Sequence, residues 1–167
     1  ALFIVPSSML ATVSALSAQN LGAGKEKRAT DTLRYATVIT TIYGVIVAVL
    51  IQFIAENVVG IFTSDTTVVT MGSAYIRSYI WDCIFAGIHF SFSGYFAACG
   101  KSYIGFLHNI ISITFVRVPG SYLASKYFTD TLYPMGLTAP AGSLVSVAIC
   151  VTAFILLKRK SRVAQTV

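Results

Sequence analysis

Two ionisable side chains, Asp82 and His89, stand inside a stretch that is otherwise almost wholly apolar: Tyr79 to Ser102 reads YIWDCIFAGIHFSFSGYFAACGKS. The stretch is as long as the ~20 mostly apolar residues that a helix needs to cross the hydrocarbon core of a bilayer. Asp82 and His89 are seven residues apart, two helical turns, so they point to one side. A charge at that depth is costly unless it faces protein or water, which makes Asp82 a candidate for binding an ion, a proton or a substrate. Imidazole ionises near neutral pH, so His89 suits a proton relay; a packed, hydrogen-bonded histidine is the plainer reading. Arg117 lies in the next apolar segment. Asp82 is eighteen residues before Gly100 and Arg117 sixteen after Lys101. With the turn at Gly100 and Lys101, two antiparallel helices bring them within two residues of one height, roughly 3 Å at the helical rise. The spacing predicts an ion pair of Asp82 with Arg117. It acts either as a structural neutralisation or as a switch in which an arriving cation or proton displaces the guanidinium. Tyr79, with Tyr43 and Tyr75, can stack on an organic cation; a belt of aromatics at the membrane boundary is the alternative. Asp82, His89, Arg117 and Tyr79 are thus the candidate ion- or substrate-binding residues. No metal-ligand spacing occurs, and no serine or cysteine has an evident base beside it in sequence, so no metal or catalytic residue is assigned and enzyme chemistry is not supported.

The elements that must hold these residues read as apolar helices. The chain is 56% hydrophobic and 11% charged, with a mean hydropathy of +0.77, which places it among integral membrane proteins and outside ordinary soluble domains. Five spans are expected, at about 1–18, 36–62, 72–99, 103–128 and 137–157. The first is broken by Pro6 and rich in serine; residues 19–34 after it form a loop or surface helix. Asp65 is placed to cap the helix that follows TSD. In the focal span Gly87, Ser91, Gly94 and Ala98 offer a small-residue face where another backbone can approach closely. Pro119 is expected to kink the fourth span, and Pro140 to fall near the start of the fifth, where a missing N–H costs least. The uniform apolar runs lack the alternation of a membrane barrel, so the fold class is all-α.

Charge sets orientation. The connection at 19–34, Lys101 and the tail at 158–167 hold nine of the twelve basic residues, whereas Glu56, Asp65 and Asp130 fall on the other side. By the positive-inside rule the basic connections and the C-terminus are cytoplasmic, and the net charge of +6 reports topology, with no nucleic-acid role. Contact of the KRKSR tail with anionic lipid is at the low end of what such clusters support. Cys83, Cys99 and Cys150 read as small buried apolar residues. GKS at 100–102 is no phosphate-binding loop, because Gly94 is one residue too far away and no strand precedes it. The chain begins without Met or a signal's basic flank, directly in apolar helix, and reads as a piece of a longer protein.

SALSAQNLGAGKEKRA (14–29), GYFAACGKS (94–102) and VRVPGSYLAS (116–125) together carry a family resemblance. The first is similar to the segment after the second helix of each lobe in the multidrug and toxic compound extrusion (MATE) transporters; the others look like the end of that family's tenth helix and its eleventh. The resemblance implies helices eight to twelve of a twelve-helix transporter. That is a partial C-terminal lobe, with four complete membrane helices and one truncated at its N-terminus, partnered by an N-terminal lobe of the same chain. It also implies a multi-pass cell-membrane protein exporting small organic, often cationic compounds by alternating access in exchange for H⁺ or Na⁺, with membrane lipids around it and no cofactor. One family carboxylate position falls on Ile88 here, so Asp82 departs from that pattern. Two other readings stand beside it: a flippase of a related superfamily moving a lipid-linked or polysaccharide precursor, and a structural or channel-like membrane subunit.

Overall fold

The computed structural model describes residues 2–165, with side chains as far as Arg159. The side chains of Lys160 and Arg162, part of the expected basic tail, lie outside the described residues. Among these residues every element is helical: α1 (Ile4–Gly22), α2 (Glu26–Gly60), α3 (Thr66–Tyr79), α4 (Asp82–Ala98), α5 (Ser102–Ser112), a π-helical turn (Ile113–Arg117), α6 (Val118–Tyr127) and α7 (Tyr133–Gln165). Two of them, Glu26–Gly60 and Tyr133–Arg159, are by themselves long and apolar enough to cross a membrane. α3 and α4 are separated by only two residues, and the π turn runs directly between α5 and α6.

The focal stretch is therefore not one uninterrupted helix from Tyr79. The N–H groups of Cys83 and Ile84 reach back three residues, to the carbonyls of Ile80 and Trp81 at 2.9 and 3.3 Å. Gln52 of α2 donates its amide to the Arg77 carbonyl at 3.0 Å, and a side chain inserted into the ladder is a recognised cause of a break. Pro119 acts as expected, though through a π turn: with no N–H at 119, the ladder is re-phased so that Val118 N–H bonds the Ile113 carbonyl five residues back. Three boundary readings change. Pro6 does not break α1, because it sits in the first turn, where its absent N–H has no intrahelical partner to lose. Residues 26–34 belong to α2. Pro140 lies inside α7, which begins earlier, at Tyr133. Asp65 caps α3 as its spacing indicates, its Oδ1 accepting from Thr67 and Val68 N–H at 2.8 and 3.3 Å.

α4 is the hub, packed by α1, α2, α5 and α7. Its small-residue face makes this possible. A Cβ on Gly94 would run into the backbone of Leu10 and Ser14 in α1; one on Gly87 would come 2.6 Å from Thr40 Cβ in α2; and α2's own Gly44 lies against Ile84, where a Cβ would be 2.8 Å from Cα. The bundle is apolar outside, and its interior combines two apolar clusters with buried polar and ionisable side chains. Phe53, Phe106 and Phe115 are 80%, 67% and 73% exposed, whereas Asp82, His89 and His108 are 3%, 3% and 1% exposed. Exposed apolar surface on that scale is the mark of a lipid-facing or partner-facing exterior. At one end, a pocket lined by Leu21, Glu26, Tyr95, Lys101 and Lys158 gathers the α1–α2 turn, the α4–α5 turn and the end of α7. At the other, Arg77 pairs with Glu56 at 3.1 Å.

Gly94→Leu is expected to force α1 off α4 and destabilise the full-length protein by about 1 to 3 kcal/mol or more, as overpacking does. Gly22→Ala, where nothing lies within 4 Å of the added carbon, leaves stability unchanged. Thermal unfolding in detergent measures both.

Candidate functional site

Asp82 is the first residue of α4, immediately after the tightened turn, and Arg117 the last of the π turn. Both charges thus sit where a helix departs from α geometry, and π turns recur at functional sites. Arg117 Nη2 lies 3.4 Å from Asp82 Oδ1 and donates to Ser143 Oγ of α7 at 2.7 Å. The bond to the hydroxyl is short; the one to the carboxylate is longer than the ~2.7–2.9 Å of a tight charge-assisted pair. Asp82 is deeply buried, while the Arg117 side chain is 30% exposed.

Gly142 explains how Arg117 gets there. A Cβ at 142 would stand 2.6 Å from Arg117 Cγ and 2.8 Å from Ser112 Oγ. Ser112 also donates to the Gly142 carbonyl at 2.6 Å, so α5 and α7 are tied where the guanidinium stem passes between them.

His89 joins the same cluster from one α4 face, its Nε2 3.4 Å from Ser143 Oγ. Its ring is T-shaped to that of His108 in α5, centroids 5.3 Å apart, and His108 Nε2 lies 2.9 Å from Ser93 Oγ. The structure therefore brings three of the four candidates, Asp82, Arg117 and His89, into one network. Tyr79 stands apart, stacked on Tyr75 at 5.5 Å and tilted against Phe3 at 5.6 Å; among the described residues no hydrogen bond joins it to the other three. Sequence reasoning missed Ser143, Gly142 and His108. The available signal for the first two was the run AGSLVS at 141–146, small and polar residues in the middle of an apolar helix; for His108 it was height, since counting from the same turn puts it close to His89.

A helical bundle with an apolar exterior and a charged pair buried among serines and histidines is an integral membrane protein. The MatE family signature matches residues 1–123, about three quarters of the chain, and the chain belongs to that family, the multidrug and toxic compound extrusion proteins. It is 30% identical over 128 residues to Protein DETOXIFICATION 14 of Arabidopsis thaliana, an alignment covering 76% of this chain and 26% of that protein. The chain thus spans about a quarter of the length of this curated relative. No solved structure matches.

Arg117→Gln leaves the deeply buried Asp82 carboxylate without its counter-charge and is expected to destabilise the protein by about 3–5 kcal/mol, the cost typical of stranding a buried charge. Gly142→Ala, which evicts the Arg117 stem without removing its charge, should destabilise comparably. Thermal unfolding of the variants in the full-length protein tests this; an unchanged Gly142→Ala transition would show that Arg117 does not depend on that passage.

Proposed function

We propose that the full-length protein is a secondary active antiporter that exports small organic, cationic compounds across the cell membrane by alternating access, exchanging them for H⁺ or Na⁺. In this reading the chain is a transporter and not an enzyme. It supplies helices eight to twelve of twelve, forming most of the C-terminal lobe, with the basic ends of the bundle and the C-terminus on the cytoplasmic side. Family membership supports the transport reading, and the observation that carries it to particular residues is the loose pair of Asp82 with Arg117 at 3.4 Å inside the bundle.

The pair has the chemistry of a switch. A carboxylate accepts at about four lone-pair positions, and Arg117 approaches Asp82 through a single Nη2–Oδ1 contact. Ser143 holds the same guanidinium nitrogen more closely, so a cation or proton arriving at Asp82 displaces an arginine that already has a second partner. Freed, the guanidinium is retained by Ser143 and is not left bare in a low-dielectric interior. A flippase of lipid-linked pyrophosphates fits less well, because Arg117 is the one cation the described residues bring to this site and Asp82 offsets it.

Asp82→Asn is expected to abolish or uncouple ethidium efflux from cells expressing the full-length protein. Asp82→Asn combined with Arg117→Gln should recover expression without recovering coupled efflux. Normal coupled efflux in the double variant would leave the pair a structural role alone.

A further inference from the structure

Two cavities meet on a side of α4 away from the charged pair. The first, of about 310 Å³, lies at the basic end and is lined by Glu26, Thr30, Tyr95, Lys101 and Lys158. The second, of about 340 Å³, is an open groove lined by Leu33, Arg34, Thr37, Val38 and Phe92. Thr30 and Phe154 line both, so the two form one cleft, polar at its end and apolar along its length. Phe92 and Tyr95 stand about 80° and 140° around α4 from Asp82 at helical pitch. The cleft is therefore separate from the site described above.

It follows from how α2 and α7 are held. Towards the Glu56–Arg77 end α3 packs against both of them, whereas towards the basic end each rests on α4 with little contact between the two. Aromatic rings fill the base of the gap there, Phe154 standing edge-on to Phe92 and Tyr95 with centroids 5.7 and 5.5 Å away. The outer edge stays open, with Val38 49% exposed. Val38 is twelve residues beyond Glu26, about 18 Å at the helical rise, so the groove passes the ~5–7 Å of a headgroup layer and reaches the depth of acyl chains.

The charges at the polar end suit a phosphate. Lys101 and Lys158 come from different parts of the chain, and among the described residues neither is paired with a carboxylate. Lys158 Nζ stands 5.0 Å from the centre of the Phe154 ring, within cation–π range, which keeps it where the two cavities join. Two helices also begin here, α2 at Glu26 and α5 at Ser102, both without a side-chain cap, and the positive ends of helices favour anions. Glu26 adds an acceptor to the same cavity, which suits a headgroup with hydroxyl or ammonium donors beside its phosphate. Arg34 lines the groove, where its stem covers apolar surface and its head reaches back towards the interface.

We propose that this cleft binds an anionic phospholipid from the leaflet at the basic end. Lys101 and Lys158 hold its phosphate, Glu26 accepts from its headgroup, and one acyl chain lies between α2 and α7 along Leu33, Val38 and Phe154. A soluble phosphate would use the polar end alone and leave the groove empty. The lipid joins two helices that otherwise meet only through α4 at this end.

The test titrates the delipidated full-length protein in detergent with phosphatidylglycerol or phosphatidylcholine and counts retained lipid by native mass spectrometry. Wild type is expected to retain one phosphatidylglycerol more tightly than phosphatidylcholine. Lys101→Gln with Lys158→Gln should weaken that binding by about 25-fold, a factor of about five for each lysine beside an anionic headgroup. Arg159→Gln, which removes a charge from the same end of α7 but outside the cleft, should leave it unchanged, and Val38→Trp, which fills the groove without altering charge, should abolish it. Wild type without preference for phosphatidylglycerol, undiminished binding in the double lysine variant or in Val38→Trp, an equal loss in Arg159→Gln, or inorganic phosphate bound as tightly as the lipid overturns the proposal. Should the variants fail to fold, wild type labelled with phosphatidylglycerol carrying a photoreactive group on its acyl chain supplies the second measurement. Cross-links must fall within 30–38 or 150–158; cross-links confined elsewhere, as when the rest of the full-length chain covers the cleft, overturn it.

Discussion

A carboxylate placed among apolar helices must find a counter-charge or donors within the protein, because the alternative is a desolvation cost of several kcal/mol. Much of the irregular backbone here can be traced to that requirement at Asp82. Gln52 opens the ladder one turn ahead of it, the π turn delivers Arg117 from the neighbouring rod, and Gly142 gives up a side chain so that the guanidinium stem can pass to Ser143. Three helices each depart from their best local geometry or packing at one level of the bundle. Away from that level the same helices are regular and apolar.

The division between inside and outside follows from the same physics. Lipid tails are as apolar as leucine, so burying another leucine gains little, and association between helices depends on close packing and on polar contacts instead. Accordingly the interior holds serine, threonine, glycine and histidine among its apolar side chains, with Ser17, Thr40, Ser78, Ser91, Ser112 and Ser143 buried, while many large aliphatic and aromatic side chains of α2 and α5, such as Ile46, Phe53 and Phe106, face out. Some buried hydroxyls return their proton to a carbonyl one turn back in their own helix, as Ser91 does to Gly87 at 2.8 Å; others, such as Ser17 and Ser112, give it to a carbonyl of a neighbouring helix. Ser143 makes no such bond among the described residues, and it is the hydroxyl at the centre of the polar network.

The helical class was legible in composition, and so was the pairing of Asp82 with Arg117. Both residues lie close enough to a shared turn for counting along regular helices to give the right height to within a few ångströms. The same counting puts His108 seven residues above Lys101 and His89 eleven before Gly100, four residues or about 6 Å apart in height; the rings do meet, although the place of His108 close to the basic end reads from sequence as a structural one. Ser143 was not legible in this way, since a serine in an apolar run has no period that distinguishes it from its neighbours and α7 shares no short turn with α4. Two boundaries failed at prolines for a related reason. A proline marks where an N–H is absent, but Pro6 stands in a first turn and Pro140 within a helix, whereas the irregularity expected at Pro119 is there as a π turn; sequence alone does not choose among these.

The π turn at Ile113–Arg117 is a dislocation: one residue too many for the lattice of hydrogen bonds on either side of it. Val118 bonds five residues back, to Ile113, and Pro119 just beyond has no N–H with which to restore the four-residue spacing. The offset is therefore kept at the level where Arg117 leaves its own helix for Ser143, and the helical rods on either side of it are out of phase with one another.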